Sequence, residues 1–294
     1  MNRTLPPWLT IRAPKPGTVE EVERLISGLR LHTVCQSARC PNLAECWSRH
    51  TATFMILGAV CTRNCRFCAV SAGAPTPVDP EEPRRVAEAA RQLGLRHVVV
   101  TSVTRDDLPD GGARQFADVI LAIRDLLPEA SVEVLTPDFQ GDPVLVDIVA
   151  SAHPQVFNHN VETVPRLYPS VRPQAIFARS VGVLAGVKRR HTGVFTKSGI
   201  MVGLGETESE VVDVMQQLRE ADVDALTIGQ YLRPTTAHHP VVEYVTPDQF
   251  DRYRQQGEAM GFLSVASQPF VRSSYNAQAL TERLLERDNR AGPQ

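Results

Sequence analysis

From about residue 53 onward, apolar segments rich in β-branched residues alternate with segments of helical periodicity. Six segments are predicted as strands: 53–57, 97–103, 132–136, 156–159, 196–202 and 225–232. Five helices are predicted between them, at about 81–93, 113–127, 142–152, 173–187 and 207–220. Strands that alternate with helices indicate a parallel sheet with right-handed crossovers.

Such a sheet is either an open doubly wound layer or an incomplete (β/α) barrel. A full barrel needs eight βα units, and about 180 residues are too few for it. We predict an α/β fold, an incomplete (β/α)6 barrel with parallel strands at 53–235. An N-terminal extension, 1–52, carries some of the cysteines, and a C-terminal helix and tail, 236–294, are predicted to close the site.

Charge and hydropathy exclude several classes of partner. The formal net charge of −2 gives no electrostatic reason to expect nucleic acid or a membrane surface. No apolar run approaches the roughly 18 residues of a membrane helix, and the first residues lack a signal-peptide core. We therefore expect a cytoplasmic protein, and nothing in the sequence demands more than a monomer.

All six cysteines lie between Cys35 and Cys68. Disulfides would require an oxidising compartment, whereas clustered cytosolic cysteines more often bind metal. The second triplet, Cys61-x3-Cys65-x2-Cys68, directly follows the first predicted strand, and active sites lie at the carboxyl ends of such strands. Three thiolates can hold three irons of a cubane cluster and leave the fourth iron open to an exchangeable ligand.

A structural zinc site is an alternative for the second triplet. It normally takes four ligands, so a distant histidine such as His32, His50 or His97 would have to complete it. The spacing Cys-x3-Cys-x2-Cys, with Phe67 before the last cysteine, resembles the signature of the radical S-adenosylmethionine (SAM) superfamily. That resemblance implies that SAM binds at the open iron.

The first triplet, Cys35-x4-Cys40-x5-Cys46, precedes the predicted barrel. The two triplets together resemble those of the lipoyl synthases, and the likeness extends over most of the chain. The motifs that carry it are RCPN at 39–42, TSV at 101–103, RDDLPDGG at 105–112, NHNVET at 158–163, KSG at 197–199, MVGLGE at 201–206 and RSSY at 272–275.

The resemblance implies insertion of two sulfur atoms, at C6 and C8 of a protein-bound octanoyl-lysine chain, by 5′-deoxyadenosyl radical chemistry. An unactivated C–H bond lies beyond side-chain acids and bases, so the chemistry passes to cofactors. These are two [4Fe–4S] clusters and SAM. By resemblance, the second triplet holds the SAM cluster, and the first triplet with Ser273 holds the auxiliary cluster that donates sulfur. The second triplet and Ser273 are the predicted catalytic residues.

The resemblance also implies SAM contacts and partners. Glu162, Lys197 and Gly203 are predicted to bind the cofactor, Glu162 at the ribose and Gly203 beside the adenine. The expected partners are an octanoylated lipoyl carrier domain or glycine-cleavage H protein, and an electron donor such as flavodoxin or ferredoxin. Three alternatives stay open: a methylthiotransferase, a thioether-forming peptide maturase and a structural zinc protein.

Overall fold

The computed structural model describes residues 5–10, 18–48 and 51–291. The strands in these ranges are β1 (His32–Thr33), β2 (Thr53–Ile56), β3 (Val60–Cys61), β4 (Ser71–Ala72), β5 (His97–Ser102), β6 (Ser131–Leu135), β7 (Val156–Asn158), β8 (Phe195–Val202), β9 (Ala225–Gln230) and β10 (Ser264–Ser267). The helices are α1 (Thr18–Gly28), α2 (Val34–Ser37), α3 (Leu43–Ser48), α4 (Glu82–Gln92), α5 (Ala113–Leu126), α6 (Pro143–Ala150), α7 (Tyr168–Val171), α8 (Phe177–Arg190), α9 (Glu208–Glu220), α10 (Pro247–Ala259) and α11 (Ala277–Ala291). Short 3-10 helices lie at Pro7–Leu9, Phe139–Gly141 and Pro165–Leu167.

Eight strands form one sheet in the order β1-β2-β5-β6-β7-β8-β9-β10. β1 runs antiparallel to β2, and the other seven strands all run parallel to one another. The edge strands β1 and β10 are not bonded to each other over the described ranges, so the barrel is incomplete. β3 and β4 form a separate two-stranded sheet beside the end of β2.

Burial explains why these segments form strands and helices. Every residue of β2 and β9 is buried, as expected for parallel strands that are covered on both faces. α5 covers the sheet with an apolar stripe that includes Phe116, Val119 and Ile123. No helix among the described residues is long and apolar enough to cross a membrane.

The structure confirms the six predicted strands and the five helices between them, with differences at their ends. The fourth helix, α8, begins at Phe177 rather than at 173 because α7 and a turn precede it. A capping box starts α9: the Thr207 side chain accepts from the Glu210 backbone N–H, and the Glu210 side chain accepts from the Thr207 backbone N–H.

Two elements in the C-terminal segment were not predicted. β10 adds a seventh parallel strand beside β9, so the sheet extends past residue 235. The segment described as a tail contains α11, whose Leu280 and Leu284 pack against Val156 and Ala225 at the amino ends of β7 and β9. α11 therefore lies away from the carboxyl ends of the strands, which His238, His239 and the segment 268–276 approach instead.

Candidate active site

A cavity of about 480 Å³ opens at the carboxyl ends of the parallel strands. Its lining includes all six cysteines, together with Glu162 and Ser273. The two triplets and the serine, which span 239 positions of sequence from Cys35 to Ser273, are thus brought to one space. None of the six cysteines, all of which lie in the described ranges, forms a disulfide.

The second triplet begins at the end of β3 and continues through the loop that follows. The backbone N–H groups of Arg63 and Thr104 donate to Cys61 Sγ at 3.4 and 3.3 Å. The Thr62 hydroxyl donates to the Thr104 carbonyl at 2.9 Å, which ties the loop to the end of β5. Backbone donors aimed at a ligand sulfur are a common feature of iron–sulfur sites.

Arg63, inside the second triplet, is the centre of a buried ion network. Its guanidinium donates to Asp106 at 2.7 and 2.9 Å and to Asp138 at 2.7 Å. Burial opposes the charge on Arg63, but hydrogen bonds to the two carboxylates outweigh it and raise the pKa of the guanidinium. Burial would raise the pKa of Asp138, yet Arg63 holds it at about 2. The loop is therefore fixed by charged groups that follow β5 and β6.

The first triplet lies on and between two short helices. Cys35 belongs to α2 and Cys46 to α3, with Cys40 in the turn between them. The Cys40 N–H donates to the Cys35 carbonyl at 2.9 Å, and the Cys46 N–H donates to the Asn42 carbonyl at 2.9 Å. These local bonds fold residues 35–46 into a compact hairpin over the cavity.

The segment 268–276 completes the surroundings of the first triplet. Asn42 Nδ2 donates to the Phe270 carbonyl at 2.7 Å, and the Tyr275 hydroxyl donates to Glu45 at 3.2 Å. Ser273 Oγ accepts a hydrogen bond of 2.5 Å from Asn160 Nδ2. The environment of the first triplet therefore depends on residues more than 220 positions later in the chain.

Burial favours the neutral form of four of the thiols. Burial raises the pKa of Cys65 to about 11 and of Cys68 to about 12, and it also raises the pKa of Cys35 and Cys40. Such thiols become thiolates when a cationic group binds them. No three His, Cys, Asp or Glu side chains within the described ranges converge on a point suited to one metal ion.

The donor set fits iron–sulfur clusters. A cubane distributes its protein ligands over separate irons, so the ligand side chains stand apart rather than converging on one centre. Each triplet supplies thiols toward the same cavity, and Cys61 receives two backbone N–H groups. Ser273 adds one oxygen donor beside the first triplet.

Glu162 is held at the cavity in a costly conformation. It is a non-glycine residue with φ of 66°, in the left-handed region, and its backbone bonds to Gly199 and Met201 of β8 at 2.9 and 2.8 Å. Burial raises the pKa of its carboxyl group, and the charge of Arg172 opposes that shift. An acceptor fixed in this way can bind hydroxyl groups of a ligand.

The structure does not bring Lys197 or Gly203 to the cavity lining. Lys197 is fully buried, and its ammonium group donates to Glu133 at 2.9 and 3.1 Å. Burial would raise the pKa of Glu133, but Lys197 and His97 outweigh that effect and hold the pKa at about 2. Gly203 has φ of 96°, and a Cβ there would lie 2.4 Å from the Glu243 carbonyl oxygen. Both residues serve the packing of β8 in this structure.

Several residues of the site were not predicted from the sequence. Arg63, Asp138, Asn160, Arg172 and Arg272 all line the cavity. Burial lowers the pKa of Arg272, and electrostatic attraction to Cys40 and Glu162 opposes that shift. Arg63 and Arg272 lie within the cysteine and serine motifs, and a charged residue between predicted ligands is the signal that could have identified them.

Known proteins are similar to this chain in fold and in sequence. Residues 55–218 match the model of the Radical SAM superfamily. In the crystal structure of Streptococcus suis SuiB bound to precursor peptide SuiA, 53% of that chain matches 79% of this one with TM-score 0.55 and 15% identity, a likeness of fold. The fold and the cysteine site thus define a radical SAM enzyme.

Similarity to curated relatives identifies the family of radical SAM enzymes to which this chain belongs. The chain is 58% identical to the lipoyl synthase of Rubrobacter xylanophilus over 94% of its length and 86% of the relative's. It is 59% identical to the lipoyl synthase of Caldanaerobacter subterraneus over 92% of its length and 95% of the relative's. The chain belongs to the lipoyl synthase family.

Membership of this family defines the activity and cofactors. The protein is a sulfur-inserting radical SAM enzyme that uses SAM and two [4Fe–4S] clusters and acts on octanoylated carrier proteins. A methylthiotransferase, a thioether-forming maturase and a structural zinc protein are all disfavoured, because the curated relatives are 54–59% identical over most of the chain.

Proposed function

We propose that the second triplet holds the SAM cluster and that the first triplet, with Ser273, holds the auxiliary cluster that donates sulfur. In this scheme two sulfur atoms enter at C6 and C8 of a protein-bound octanoyl-lysine chain. The observation that carries the proposal is that both triplets and Ser273 line one cavity of about 480 Å³. Groups that share one cavity can act in turn on one substrate chain.

The three segments of the chain take separate parts in the proposal. Residues 1–52 carry the auxiliary ligands, residues 53–235 form the partial barrel with the SAM cluster, and residues 236–294 supply Ser273 and close the auxiliary site. When bound, the clusters and SAM supply the electron, the radical and the sulfur. The protein itself holds thiolates, orients the substrate and excludes water.

Arg63 has a positioning role in this proposal. Its bonds to Asp106 and Asp138 fix the loop that carries the second triplet, and the backbone donors of Arg63 and Thr104 face Cys61. Glu162 is the proposed acceptor for the ribose hydroxyls of SAM, with Arg172 balancing its charge. Lys197 and Gly203 are not proposed as direct contacts, because neither lines the cavity.

The lining between the triplets suits an alkyl chain. Apolar side chains of the cavity include Val34, Met55, Phe67, Val103, Leu135 and Ile200. Apolar walls bind an octanoyl chain by burying its methylenes, each worth about 0.8 kcal/mol, and keep water from a reactive radical. The octanoyl carrier is proposed to be a lipoyl domain or glycine-cleavage H protein, and the reductant a flavodoxin or ferredoxin. The enzyme itself is proposed to be a cytoplasmic monomer.

The test is an anaerobic reaction of the reconstituted enzyme with SAM, dithionite and an octanoyl-lysyl peptide. The expected product carries two added sulfurs, and the enzyme should hold about eight irons and eight sulfides per chain. A variant with the first triplet changed to alanine should lose about half of both and still cleave SAM. Full cluster content with SAM cleavage but no sulfur in any octanoyl peptide would reject the proposal.

A further inference from the structure

Asn160 links the two halves of the cavity through one amide group. It follows β7, is 7% exposed, and its Nδ2 donates to Ser273 Oγ at 2.5 Å and to Glu162 Oε1 at 3.1 Å. We propose that Asn160 is a positioning residue that holds Ser273 Oγ toward the first triplet and so sets how firmly the serine binds the auxiliary cluster. This inference rests on the proposed role of Ser273 as a ligand of that cluster.

The backbone of Asn160 is fixed by a buried arginine. Arg172 Nη1 donates to the Asn160 carbonyl at 2.9 Å and to the Val161 carbonyl at 3.0 Å. The Arg172 guanidinium also lies 5.2 Å from the centroid of the Tyr168 ring. A side chain that starts from a fixed backbone can define the position of its hydrogen-bond partner.

β8 leaves space for the Asn160 amide at Gly199. A Cβ at position 199 would lie 2.7 Å from Asn160 Oδ1 and 2.8 Å from Thr227 Oγ1. Both distances are shorter than side chains tolerate, so any larger residue would displace the amide. The glycine of the KSG motif therefore permits the contact between Asn160 and Ser273.

The orientation of the amide is set by its two acceptors. Nδ2 faces the Glu162 carboxyl and Ser273 Oγ, whereas Oδ1 is buried with no hydrogen-bond partner among the described residues. Leaving a buried carbonyl unpaired has a cost, which the two bonds from Nδ2 offset. The site is thus arranged to present an N–H donor, not an acceptor, to the serine.

A donor suits an oxygen ligand and matters little to a sulfur ligand. Serine oxygen has two lone pairs, and a bond from Asn160 to one of them restricts the directions in which the hydroxyl group can face. A cysteine sulfur accepts hydrogen bonds weakly and binds iron well unaided. The contribution of Asn160 should therefore exist with serine at position 273 and vanish with cysteine.

The experiment measures iron release from the full chain loaded with the auxiliary cluster alone, the second triplet being changed to alanine. Ferrozine absorbance follows the first iron lost under anaerobic conditions. Asn160→Ala should accelerate that loss about fivefold in the Ser273 background, the effect of one hydrogen bond, and by less than about twofold in the Ser273→Cys background. Equal acceleration in both backgrounds would indicate a merely structural role and overturn the proposal.

Two further variants test the contact between Asn160 and Ser273 without relying on Asn160→Ala alone. Asn160→Asp preserves shape but presents an acceptor, so its iron loss should exceed that of Asn160→Ala. Gly199→Ala should accelerate loss without changing Asn160 itself. If Ser273→Ala releases iron at the wild-type rate, Ser273 is not a ligand and both proposals fail. If Ser273→Ala accelerates loss and none of the other variants does, only the role of Asn160 is rejected.

Discussion

An arginine paired with two carboxylates anchors the second triplet, whereas single hydrogen bonds from amide and hydroxyl groups anchor the first. Arg63 joins the loop of the second triplet to Asp106 and Asp138 with three bonds of 2.7–2.9 Å. Around the first triplet, the long-range contacts are amide and hydroxyl bonds, such as that from Asn42 to the Phe270 carbonyl. One triplet is built into the barrel, whereas the other lies between two segments distant in sequence.

This difference matches the separate tasks proposed for the two sites. Hydrogen bonds between charged groups contribute about 1.5–3 kcal/mol, and neutral ones about 1 kcal/mol. With three bonds between charged groups, the loop of the second triplet is therefore the stiffer of the two, which suits the repeated SAM cleavage proposed for it. The first triplet, whose cluster is proposed to give up sulfur, would have to open to be reloaded, and its single hydrogen bonds to distant segments suit that opening.

The largest effect should come from removing one thiol of each triplet. Cys65→Ala should lower SAM cleavage at least about 100-fold, since loss of a ligand costs more than loss of its supporting contacts. Cys40→Ala should leave cleavage nearly intact and abolish sulfur insertion. Mass spectrometry of 5′-deoxyadenosine and of the peptide separates the two effects. Loss of cleavage in both variants would remove the distinction between the sites.

Removing the charged anchor should affect only the second triplet. Arg63→Ala leaves the buried Asp138 carboxylate without its main partner and should slow SAM cleavage about 10- to 100-fold. Arg63→Lys should restore part of the rate, because it keeps the charge without the two-pronged geometry. Iron bound by the first triplet should not change. Arg84→Ala, which removes an exposed ion pair with Glu81, is the matched control.

Removing a neutral contact should affect only the first triplet. Asn42→Ala leaves the Phe270 carbonyl without this donor and should lower sulfur insertion about fivefold at an unchanged rate of SAM cleavage. The rate of each product in one reaction provides the measurement. Gln278→Ala removes an exposed bond to Glu282 and should change neither rate. A fall in cleavage for Asn42→Ala would mean that the two sites are mechanically coupled.

The smallest effect concerns acid stability beside the charged anchor. Burial lowers the pKa of His159 to about 4 from its usual 6.5, while Asp138 opposes the shift. The unfolded chain therefore takes up a proton that the folded protein resists, and stability falls as the pH drops from about 6.5 toward 4. Between pH 7.5 and 5.5 this costs about 1 kcal/mol. His159→Gln should lose correspondingly less on acidification in urea titrations at the two pH values, and an equal loss would contradict the assignment.

The sequence predicted the barrel because alternation and periodicity are local signals. The six strands are apolar runs, and the capping box at Thr207 marks the start of the helix that follows it. β10 was missed because its four residues, SVAS, give too short a pattern. The cysteine spacing likewise predicted the proposed cluster ligands, whereas Ser273 is proposed only through a family motif.

The ion pairs could not be predicted, because their partners lie far apart in sequence. Arg63 finds Asp106 and Asp138 at separations of 43 and 75 residues. Lys197, in the middle of a buried strand, must have an anionic partner, but its sequence context does not say that Glu133 provides it. For that reason Lys197 of the KSG motif was assigned to the cofactor, whereas in the structure its ammonium group is paired with Glu133 inside the barrel.

The bond between Asn42 and the Phe270 carbonyl spans 228 residues of chain, which has a consequence for biosynthesis. At ribosomal rates, roughly ten to fifty seconds separate the synthesis of the two partners. During that interval the first three cysteines leave the ribosome without the segment that encloses them. Metal delivered to the nascent chain would find the first triplet without the segment that completes its site. We therefore expect the auxiliary cluster to be installed after translation, on the completed polypeptide.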